Sequence, residues 1–486
     1  MIKLQMRAFR RTTLITVGCS SALVGLGLSR KFNLQPHIWW LAFLPLLFFL
    51  KSKNLTTAVL VMFIGVGLGL WRGGIYMQKL ETLQSYSLQK VTIAATATTD
   101  SIYAKKSQIQ FTANNIEMIY PHKHPLAGTF KLSGFGEHII YRGDRVVASG
   151  KLFPTRGANQ ATIAYAKLNR VSEGNSWFNE ISRRFAAGMQ NALPEPQASF
   201  AMGLLVGQRS TMPAQIILML TMVGLVHIVA VSGYNLTILV RAAERLKLNS
   251  KYQKLVLSLA LIIGFVLITG FSASIVRAAI VSILTLWAWF YGRQIRPMVL
   301  ITFTAALTGL FNPFYVWGDL GWYLSFLAFF GVLVIAPVIT ARLFSRQPKM
   351  LTGVLVETLS AEVMTLPLIM MTFSQLSLIA LVANVLIVPL VPLAMLLSAI
   401  AGLAGMLTPS VAGWLALPAR LLLTYMLDVV HILASIPSEF LHLAISPAMM
   451  VAAYMSIIFV VLAAYRHIHL KNAIITDKKT ILASEA

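Results

Sequence analysis

A chain of 486 residues with 57% hydrophobic and only 12% charged side chains is not a water-soluble protein, since soluble domains carry about 25% charged residues. Several apolar runs approach the ~20 residues with which an α-helix crosses a bilayer, which predicts a polytopic α-helical membrane protein. The net charge of +24 fits either positive cytoplasmic loops and anionic lipids or a polyanionic cargo such as nucleic acid. The single cysteine, Cys19, excludes an internal disulfide and a cysteine-based zinc site.

Residues 1–74 are predicted to hold three membrane helices, at about 12–28, 38–50 and 55–71. By the positive-inside rule the N-terminus is cytoplasmic, because four cations precede the first helix. These cations are Lys3, Arg7, Arg10 and Arg11. Lys51 and Lys53 mark the next cytoplasmic turn, while Arg30 and Lys31 weigh against this topology. Three crossings then place the following segment on the external face.

Residues 87–173 are polar and predict an inserted small all-β domain of the OB type. Five β-like runs, separated by glycines at turn-like spacing, fit a five-stranded Greek-key barrel, a fold that often binds oligonucleotides or oligosaccharides. The runs are 91–99, 109–120, 127–135, 144–153 and 161–171. Residues 176–194 then predict an amphipathic helix at the membrane interface.

The predicted barrel carries cations and aromatic rings, the combination with which OB folds hold single strands without reading sequence. The cations are Lys105, Lys106, Lys131, Arg142, Arg145, Lys151, Arg156 and Lys167, and the rings are Tyr103, Phe111, Phe130, Phe135, Tyr141 and Tyr165. Phe111 and Phe130 are expected in the barrel core instead. The candidate DNA contacts are Lys105, Lys106, Arg142, Arg145 and Lys151.

Residues 196–466 predict a bundle of apolar helices, and residues 467–486 a basic cytoplasmic tail. The helices are expected near 213–243, 255–270, 272–292, 298–311, 322–341, 353–373, 376–406, 411–435 and 448–464. Some of these runs are too long for one simple crossing, so breaks are expected at glycine and proline. The expected breakpoints are Gly224, Gly233, Pro367, Pro389 and Pro392.

The most informative segment is the apolar run 203–240, which carries His227 and the stretch Ser232-Gly233-Tyr234-Asn235 near its middle. Polar groups at membrane depth face other helices or a water-filled path. With its patterns GLLVGQRS and HIVAVSGYN, the segment resembles the competence signature of the ComEC family of DNA-uptake membrane proteins. Three later segments, 269–278, 319–328 and 366–389, resemble further motifs of that family in the same order.

The resemblance implies a channel in the cytoplasmic membrane that imports single-stranded DNA during transformation. The candidate passage residues are His227, Ser232, Gly233, Asn235, Ser274, Arg277, Asp319, Ser325, Glu362 and Asn384. An arginine inside an apolar helix costs about 2.5–3.5 kcal/mol on insertion scales, so Arg277 needs a partner. That partner is either an acidic residue (Asp319, Glu357 or Glu362) or a DNA phosphate, or each in turn.

Two other functions remain open on the sequence. A small-solute or ion transporter would have a pore too narrow for a nucleotide. An intramembrane hydrolase would use His227 and Ser232, but five residues on one helix separate them by about 140°, and no G-x-S-x-G motif is present.

No enzyme, cofactor or metal site is expected. The pairs His122/His124 and His467/His469 each supply only half the ligands of a metal site. Many ComEC-family proteins carry a metallo-β-lactamase-like nuclease domain with the ligand run H-x-H-x-D-H. After His467 and His469, Lys471 and Asn472 occupy the Asp and His positions of that run. Without a P-loop, any ATPase must be a separate protein. The expected partners are single-stranded DNA, membrane lipids, a cytoplasmic ATPase or DNA-capture protein and an external DNA receptor, with homo-oligomer formation left open.

Overall fold

The structure is a computed structural model in which α-helices dominate and one β-barrel is inserted. It describes residues 9–32, 54–103, 108–126, 128–137, 140–155, 159–174, 177–208, 212–229, 236, 240, 250–269, 273–293, 296–344, 348, 350–373, 378–436 and 445–464. Two compact units are present. The first comprises Met1–Pro213, Val229–Tyr323 and Met395–Arg420, and the second comprises Ala214–Ile228, Leu324–Ala394 and Leu421–Ala486.

The helices follow the apolar runs of the sequence. They are α1 (Arg11–Ser29), α2 (Leu55–Gln84), α3 (Trp177–Ala192), α4 (Gln197–Val206), α5 (Ala214–Met222), α6 (Val226–Val229), α7 (Lys251–Thr269), α8 (Ala273–Phe290), α9 (Pro297–Phe311), α10 (Phe314–Gly318), α11 (Leu320–Phe330), α12 (Ala336–Leu343), α13 (Met350–Phe373), α14 (Leu378–Ile387), α15 (Val391–Leu407), α16 (Pro409–Leu415), α17 (Leu417–Ser435) and α18 (Pro447–Ala464). A π-helical turn, Gly331–Ile335, joins α11 to α12, and a 3₁₀ turn, Val388–Leu390, joins α14 to α15.

Within the described residues, seven helices are long and apolar enough to cross a membrane. They span Arg11–Ser29, Leu55–Glu81, Leu320–Leu343, Thr352–Thr372, Val382–Leu407, Leu417–Ser435 and Pro447–Ala464. Three shorter apolar helices accompany them, at Gln197–Val206, Ser274–Phe290 and Pro297–Phe311. Together with the separate β domain, these helices confirm the predicted fold class. The helix expected at 38–50 lies outside the described residues.

Glycines bring α1 and α2 into close contact. A Cβ atom at Gly69 would overlap the Ala22 carbonyl oxygen, and one at Gly73 would overlap the Ser29 hydroxyl. Such small residues let helix backbones approach closely in a membrane, where contact and not the hydrophobic effect drives association. The contacts advance in the same direction along both helices, so α1 and α2 run parallel. The C-terminal end of α2 therefore lies at the other end of the helix pair from the N-terminus of α1.

Side-chain hydrogen bonds to backbone carbonyls tie α1 and α2 to the α9–α10 region. The Trp317 indole donates to Leu26 O at 2.7 Å, and Arg30 Nη1 donates to Trp317 O at 2.8 Å. Arg72 Nε donates to Leu310 O at 2.8 Å, at the end of α9. Each bond gives a polar group of an otherwise apolar helix a partner within the protein, as the membrane requires.

The β domain is a closed barrel. Its strands are β1 (Lys90–Ala97), β2 (Ile102–Tyr103), β3 (Ile109–Tyr120), β4 (His124–Leu126), β5 (Phe130–Phe135), β6 (Arg145–Pro154) and β7 (Ala161–Ser172). The five long strands pair in the order β1-β6-β7-β5-β3, and β3 pairs back with β1. Only β5 and β7 are parallel to each other. This connectivity is that of an OB-type barrel, and the long strands match the five predicted runs.

The barrel core is apolar and contains two of the rings singled out from the sequence. Phe111 and Phe130 are buried, which confirms their assignment to the core. Successive side chains of a strand point to opposite faces of a sheet. The strand residues that alternate with the core residues therefore point to the outside of the barrel. Leu83, at the end of α2, packs into the same core and connects the barrel to the helix that precedes it.

Helix α3 is amphipathic, as predicted, but part of its apolar face is covered by protein. Met189 is fully buried, and Gly188 lies against Gly402 and Met406 of α15. The small side chain of Gly188 permits this close approach.

Of the five expected breakpoints, two interrupt helices, Pro392 is the second residue of α15, and Pro367 lies within a continuous helix. Gly224, with φ +76°, ends α5, and Pro389 lies in the 3₁₀ turn between α14 and α15. The prediction for Pro367 was wrong, because α13 continues through it from Met350 to Phe373. A proline removes one backbone donor, and neighbouring groups in a transmembrane bundle accommodate that loss. Gly233 lies outside the described residues.

Candidate intramembrane polar sites and nucleic-acid interface

In the first unit, Arg277 and Asp319 come together around the start of α11. Arg277, one turn inside α8, is 2% exposed, and its Nη2 donates to Gly321 O at 3.1 Å. Asp319 precedes α11 and caps it, since its Oδ1 accepts the Trp322 N–H at 3.1 Å. Asp319 also attracts the Arg277 guanidinium electrostatically. Asp319 is thus an acidic candidate that lies near enough to Arg277 to interact with its charge.

Arg277 lies at the end of the α7–α8 pair that contacts the barrel. Three residues separate α7 from α8, so the end of α7 and the start of α8 lie on the same side. Leu267, two residues before the end of α7, accepts a hydrogen bond from barrel residue Arg142. Ser274, half-buried in the first turn of α8, lies at this end too. The candidate passage residues Ser274 and Arg277 thus lie on the barrel side of α8.

In the second unit, Glu362 and Asn384 form a polar pair between α13 and α14. Asn384 is 5% exposed, and its Nδ2 donates to Glu362 Oε1 at 2.8 Å. Glu362 lies at the middle of the apolar span Thr352–Thr372. Glu362 was considered as a partner of Arg277, and the structure gives it Asn384 as a partner instead.

The π-helical turn Gly331–Ile335 packs next to this pair. A Cβ atom at Gly331 would overlap the Ser360 carbonyl oxygen and crowd Ala361, so this backbone lies directly against α13. π-Helical turns are frequent at functional sites. Ser325, half-buried on α11, lies six residues before this turn and is not part of the Glu362–Asn384 pair.

His227 belongs to the second unit and makes a local contact. It is on the short helix α6, exposed at the surface of the chain, and its Nδ1 lies 3.0 Å from Gly224 O. Because a carbonyl only accepts, Nδ1 carries the ring proton in this bond. Ser232, Gly233 and Asn235, which were predicted to accompany His227, lie outside the described residues. Within those residues, no three His, Cys, Asp or Glu side chains group together as metal ligands.

Two cavities of the first unit do not coincide with the candidate passage. One, of about 640 Å³, lies between α1, α8 and α9 and is lined by residues such as Trp287 and Phe303. The other, of about 260 Å³, lies between α1, α2 and α9. Both are mainly apolar, and neither includes a candidate passage residue.

On the barrel, Arg142 binds protein groups, contrary to its interpretation as a free DNA contact. Its Nη2 donates to Leu267 O at 2.8 Å, and its backbone N–H donates to Asp100 Oδ1 at 2.9 Å. Burial raises the pKa of the Asp100 carboxyl, and Arg142 opposes that rise. Burial likewise lowers the pKa of the Arg142 guanidinium, which Asp100 opposes. Arg142 therefore holds the barrel against α7, because its guanidinium is bonded to the Leu267 carbonyl.

The other predicted DNA contacts differ in availability. Arg145 pairs with Glu117 at 2.8 Å, and both side chains are half exposed. Lys151 is exposed on β6. Lys105 and Lys106 lie outside the described residues, so their role stays a prediction.

A basic surface on β1, β6 and β7 includes lysines that were not among the predicted DNA contacts. Lys90, Lys151 and Lys167 are all exposed. Lys90 is the register partner of Lys151, and Lys167 faces Ser149 and Phe135. Among the described strands, none of the register partners of these three lysines is acidic. Lys90 could have been found from its position at the start of the first predicted strand.

An aromatic ring projects from the same region. Tyr165 is 69% exposed, with φ +52°, where the register between β6 and β7 shifts. A bulge of this kind redirects a side chain, and left-handed backbone is unusual for a bulky residue. Phe135, the register neighbour of Lys167, is 46% exposed. Cations and rings therefore share one outer surface of the barrel.

Fold and sites together define a polytopic helical membrane protein with an inserted small β-barrel and buried polar residues in its helices. The family model described as Competence protein matches residues 204–467, more than half of the chain, so the chain belongs to the Competence protein family. This match confirms the resemblance to ComEC-type proteins and gives the chain a role in competence.

One curated relative and the solved structures complete the comparison. The chain is 24% identical over 190 residues to ComE operon protein 3 of Bacillus subtilis (strain 168). That alignment covers 38% of this chain and 24% of the relative, so the chain matches about a quarter of the relative's length. No solved structure shows a significant match.

Proposed function

We propose that the chain is a DNA-uptake channel that passes single-stranded DNA across the cytoplasmic membrane, with the barrel on the external side. The observation that carries this proposal is Arg277, a buried cation at the barrel-side end of the helices in a member of the Competence protein family. A phosphate arriving from the barrel would find Arg277 beside the polar residues Ser274 and Asp319. Buried cations within apolar helices mark ion and substrate paths in membrane proteins.

Two charge asymmetries support an external barrel. Four cations precede or begin α1, and its N-terminus is at the other end of the helix pair from the end of α2 that continues into the barrel. Five cations also precede or begin α7, whose other end contacts Arg142 of the barrel. They are Arg241, Arg245, Lys247, Lys251 and Lys254. By the positive-inside rule both basic segments are cytoplasmic, and the barrel is on the other side.

The basic surface of the barrel supports binding of a polyanion. Lys90 and Lys151 are directly opposite each other, and like charges in that position destabilise a sheet. A bound phosphate offsets this repulsion. Tyr165 and Phe135 beside the lysines provide faces on which bases stack, and stacking tolerates any sequence. The composition of this surface fits a single strand better than a small solute.

The proposed protein translocates DNA without cutting it or hydrolysing ATP. A cytoplasmic ATPase or DNA-capture protein would supply the direction of transport, and an external receptor would deliver the strand. Assembly as a homo-oligomer is compatible with this scheme.

Nuclease-protected uptake of labelled DNA into competent cells tests the proposal. Arg277→Ala should reduce uptake by about tenfold or more, since loss of ~1.4 kcal/mol corresponds to a factor of ten. Arg277→Lys, which retains the charge, should retain more uptake. The matched control is Arg184→Ala, which removes an exposed arginine paired with Glu180 on α3. Normal uptake by Arg277→Ala, at wild-type amounts in the membrane, would overturn the channel.

A further inference from the structure

The side-chain carboxyl of Glu362 lies where its ionised form is energetically unfavourable. It lies at the centre of an apolar span, and one of its oxygens is bonded to the buried amide of Asn384. A charged side chain at the centre of a membrane helix costs free energy, because hydrocarbon cannot solvate it. One neutral amide donor offsets only part of that cost.

One oxygen atom of each side chain in the pair lacks a hydrogen-bond donor within the described part of the chain. Glu362 Oε2 and Asn384 Oδ1 are both buried, and neither has a hydrogen-bond partner among the described residues. An ionised carboxylate and an amide oxygen are acceptors only, so neither can satisfy the other. A single proton on Oε2 turns it into a donor. Both orphaned atoms belong to the two side chains that the Nδ2–H···Oε1 bond already joins.

The surroundings offer no cation to hold an ionised Glu362 among the described elements packed against it. The π-helical turn, the 3₁₀ turn and α14 consist of residues without charge. Tyr454 of α18 uses its hydroxyl to donate to Met364 O at 3.1 Å. Glu357 lies about 140° around α13, and Arg342 is exposed at the end of α12.

We propose that Glu362 and Asn384 form a proton-binding site within the membrane. A proton from water binds Glu362 Oε2, which donates to Asn384 Oδ1 and closes a ring with the existing Nδ2–H···Oε1 bond. When the proton returns to water, two acceptors face each other, so the ring opens and the contact between α13 and α14 weakens. The ligand is thus a proton, and its occupancy is coupled to the packing of two helices. This inference depends on the fold and not on the proposed DNA uptake.

Infrared spectroscopy of the full chain in lipid nanodiscs tests the site directly. At neutral pH the wild type should show the carbonyl band of a protonated, hydrogen-bonded carboxylic acid, which shifts in D₂O and declines as the pH is raised. Glu362→Gln should remove this band with little change in folding, because its amide supplies the same donor. The control Glu180→Gln should leave the band unchanged, since Arg184 lowers the pKa of exposed Glu180 and keeps it ionised.

A second variant separates the pair from a lone buried acid. Asn384→Leu removes the acceptor of the Glu362 proton, so the band should move to the position of a carboxylic acid without a hydrogen bond. Absence of the band in the wild type would overturn the site, whatever the variants do. Its persistence in Glu362→Gln, or an unshifted band in folded Asn384→Leu, would overturn it as well.

Discussion

Arg142 of the barrel and Leu267 of α7 are joined by a hydrogen bond of 2.8 Å from the guanidinium to the backbone carbonyl. Leu267 lies in the last turn of α7, where carbonyls lack partners within the helix and carry partial negative charge. Arg142 therefore satisfies a helix end and holds the barrel against it. This bond places the basic outer surface of the barrel in the same unit as Arg277.

Arg142→Ala should loosen the barrel from α7. A hydrogen bond to a charged group contributes about 1.5–3 kcal/mol, and the variant also leaves Asp100 without its neighbouring cation. Hydrogen exchange of the purified full chain should show faster exchange at residues 264–269. Arg145→Ala is the matched control, because its exposed pair with Glu117 is worth about 0–1 kcal/mol. Equal exchange in the two variants would show that Arg142 does not hold the barrel.

Gly69→Ile should separate α1 from α2. The new side chain would overlap the Ala22 carbonyl, and overpacking of this kind costs about 1–3 kcal/mol or more. The control is Gly27→Ile on α1, where an added Cβ meets no atom within 4 Å. Thermal stability in detergent should fall for Gly69→Ile and remain near the wild-type value for Gly27→Ile. A similar loss in both would attribute the effect to helix propensity and not to contact.

The strands and the apolar helices were predictable because each is encoded by a local pattern. Alternation and glycine spacing located all five long strands, and apolar length located most of the long helices but not the short helix α4. The close packing of α1 and α2 also had a local signal, Gly65, Gly69 and Gly73 at four-residue spacing, which the sequence analysis did not use. The course of α13 through Pro367 had no such signal, since neighbouring helices determine it.

The partners of the polar residues were harder to predict because they come from other elements. Arg277 had three acidic candidates, and the position of α11 beside α8 brings one of them, Asp319, near it. From the sequence, Arg142 is predicted to be an exposed cation. Its hydrogen-bond partner, the Leu267 carbonyl, is 125 residues away along the chain. Asn384 was assigned to the passage, yet nothing local indicated that it would bind Glu362.

Asp100→Asn should change the dependence of stability on pH. Burial raises the folded-state pKa of Asp100, so the native protein holds this proton more tightly than the unfolded chain, and its contribution is lost as pH rises through the folded pKa. The variant should match the wild type in acid and exceed it in stability towards neutral pH. Thermal unfolding of the full chain, monitored by hydrogen exchange within the barrel, gives the two curves.

Glu180→Gln provides a comparison of opposite sign. Arg184 lowers the pKa of Glu180, so its contribution is lost as pH falls, and this variant should become no more stable at neutral pH. Parallel curves for Asp100→Asn and the wild type would show that Asp100 titrates alike in both states.

Tyr165→Ala should weaken binding of single-stranded DNA to the full chain in nanodiscs. The bulge turns this ring outward beside Lys151 and Lys167. Loss of a stacked base costs about 1–3 kcal/mol, which corresponds to roughly a 5- to 150-fold increase in Kd. Fluorescence anisotropy with a labelled oligothymidine measures it. The matched control is Tyr252→Ala at the start of α7, a tyrosine with the same 69% exposure as Tyr165, which contacts Phe290. Because Tyr252 lies at the end of α7 remote from the barrel, its loss should leave Kd unchanged. If both substitutions raise Kd equally, or if neither raises it, the outer barrel surface does not lie on the path of DNA.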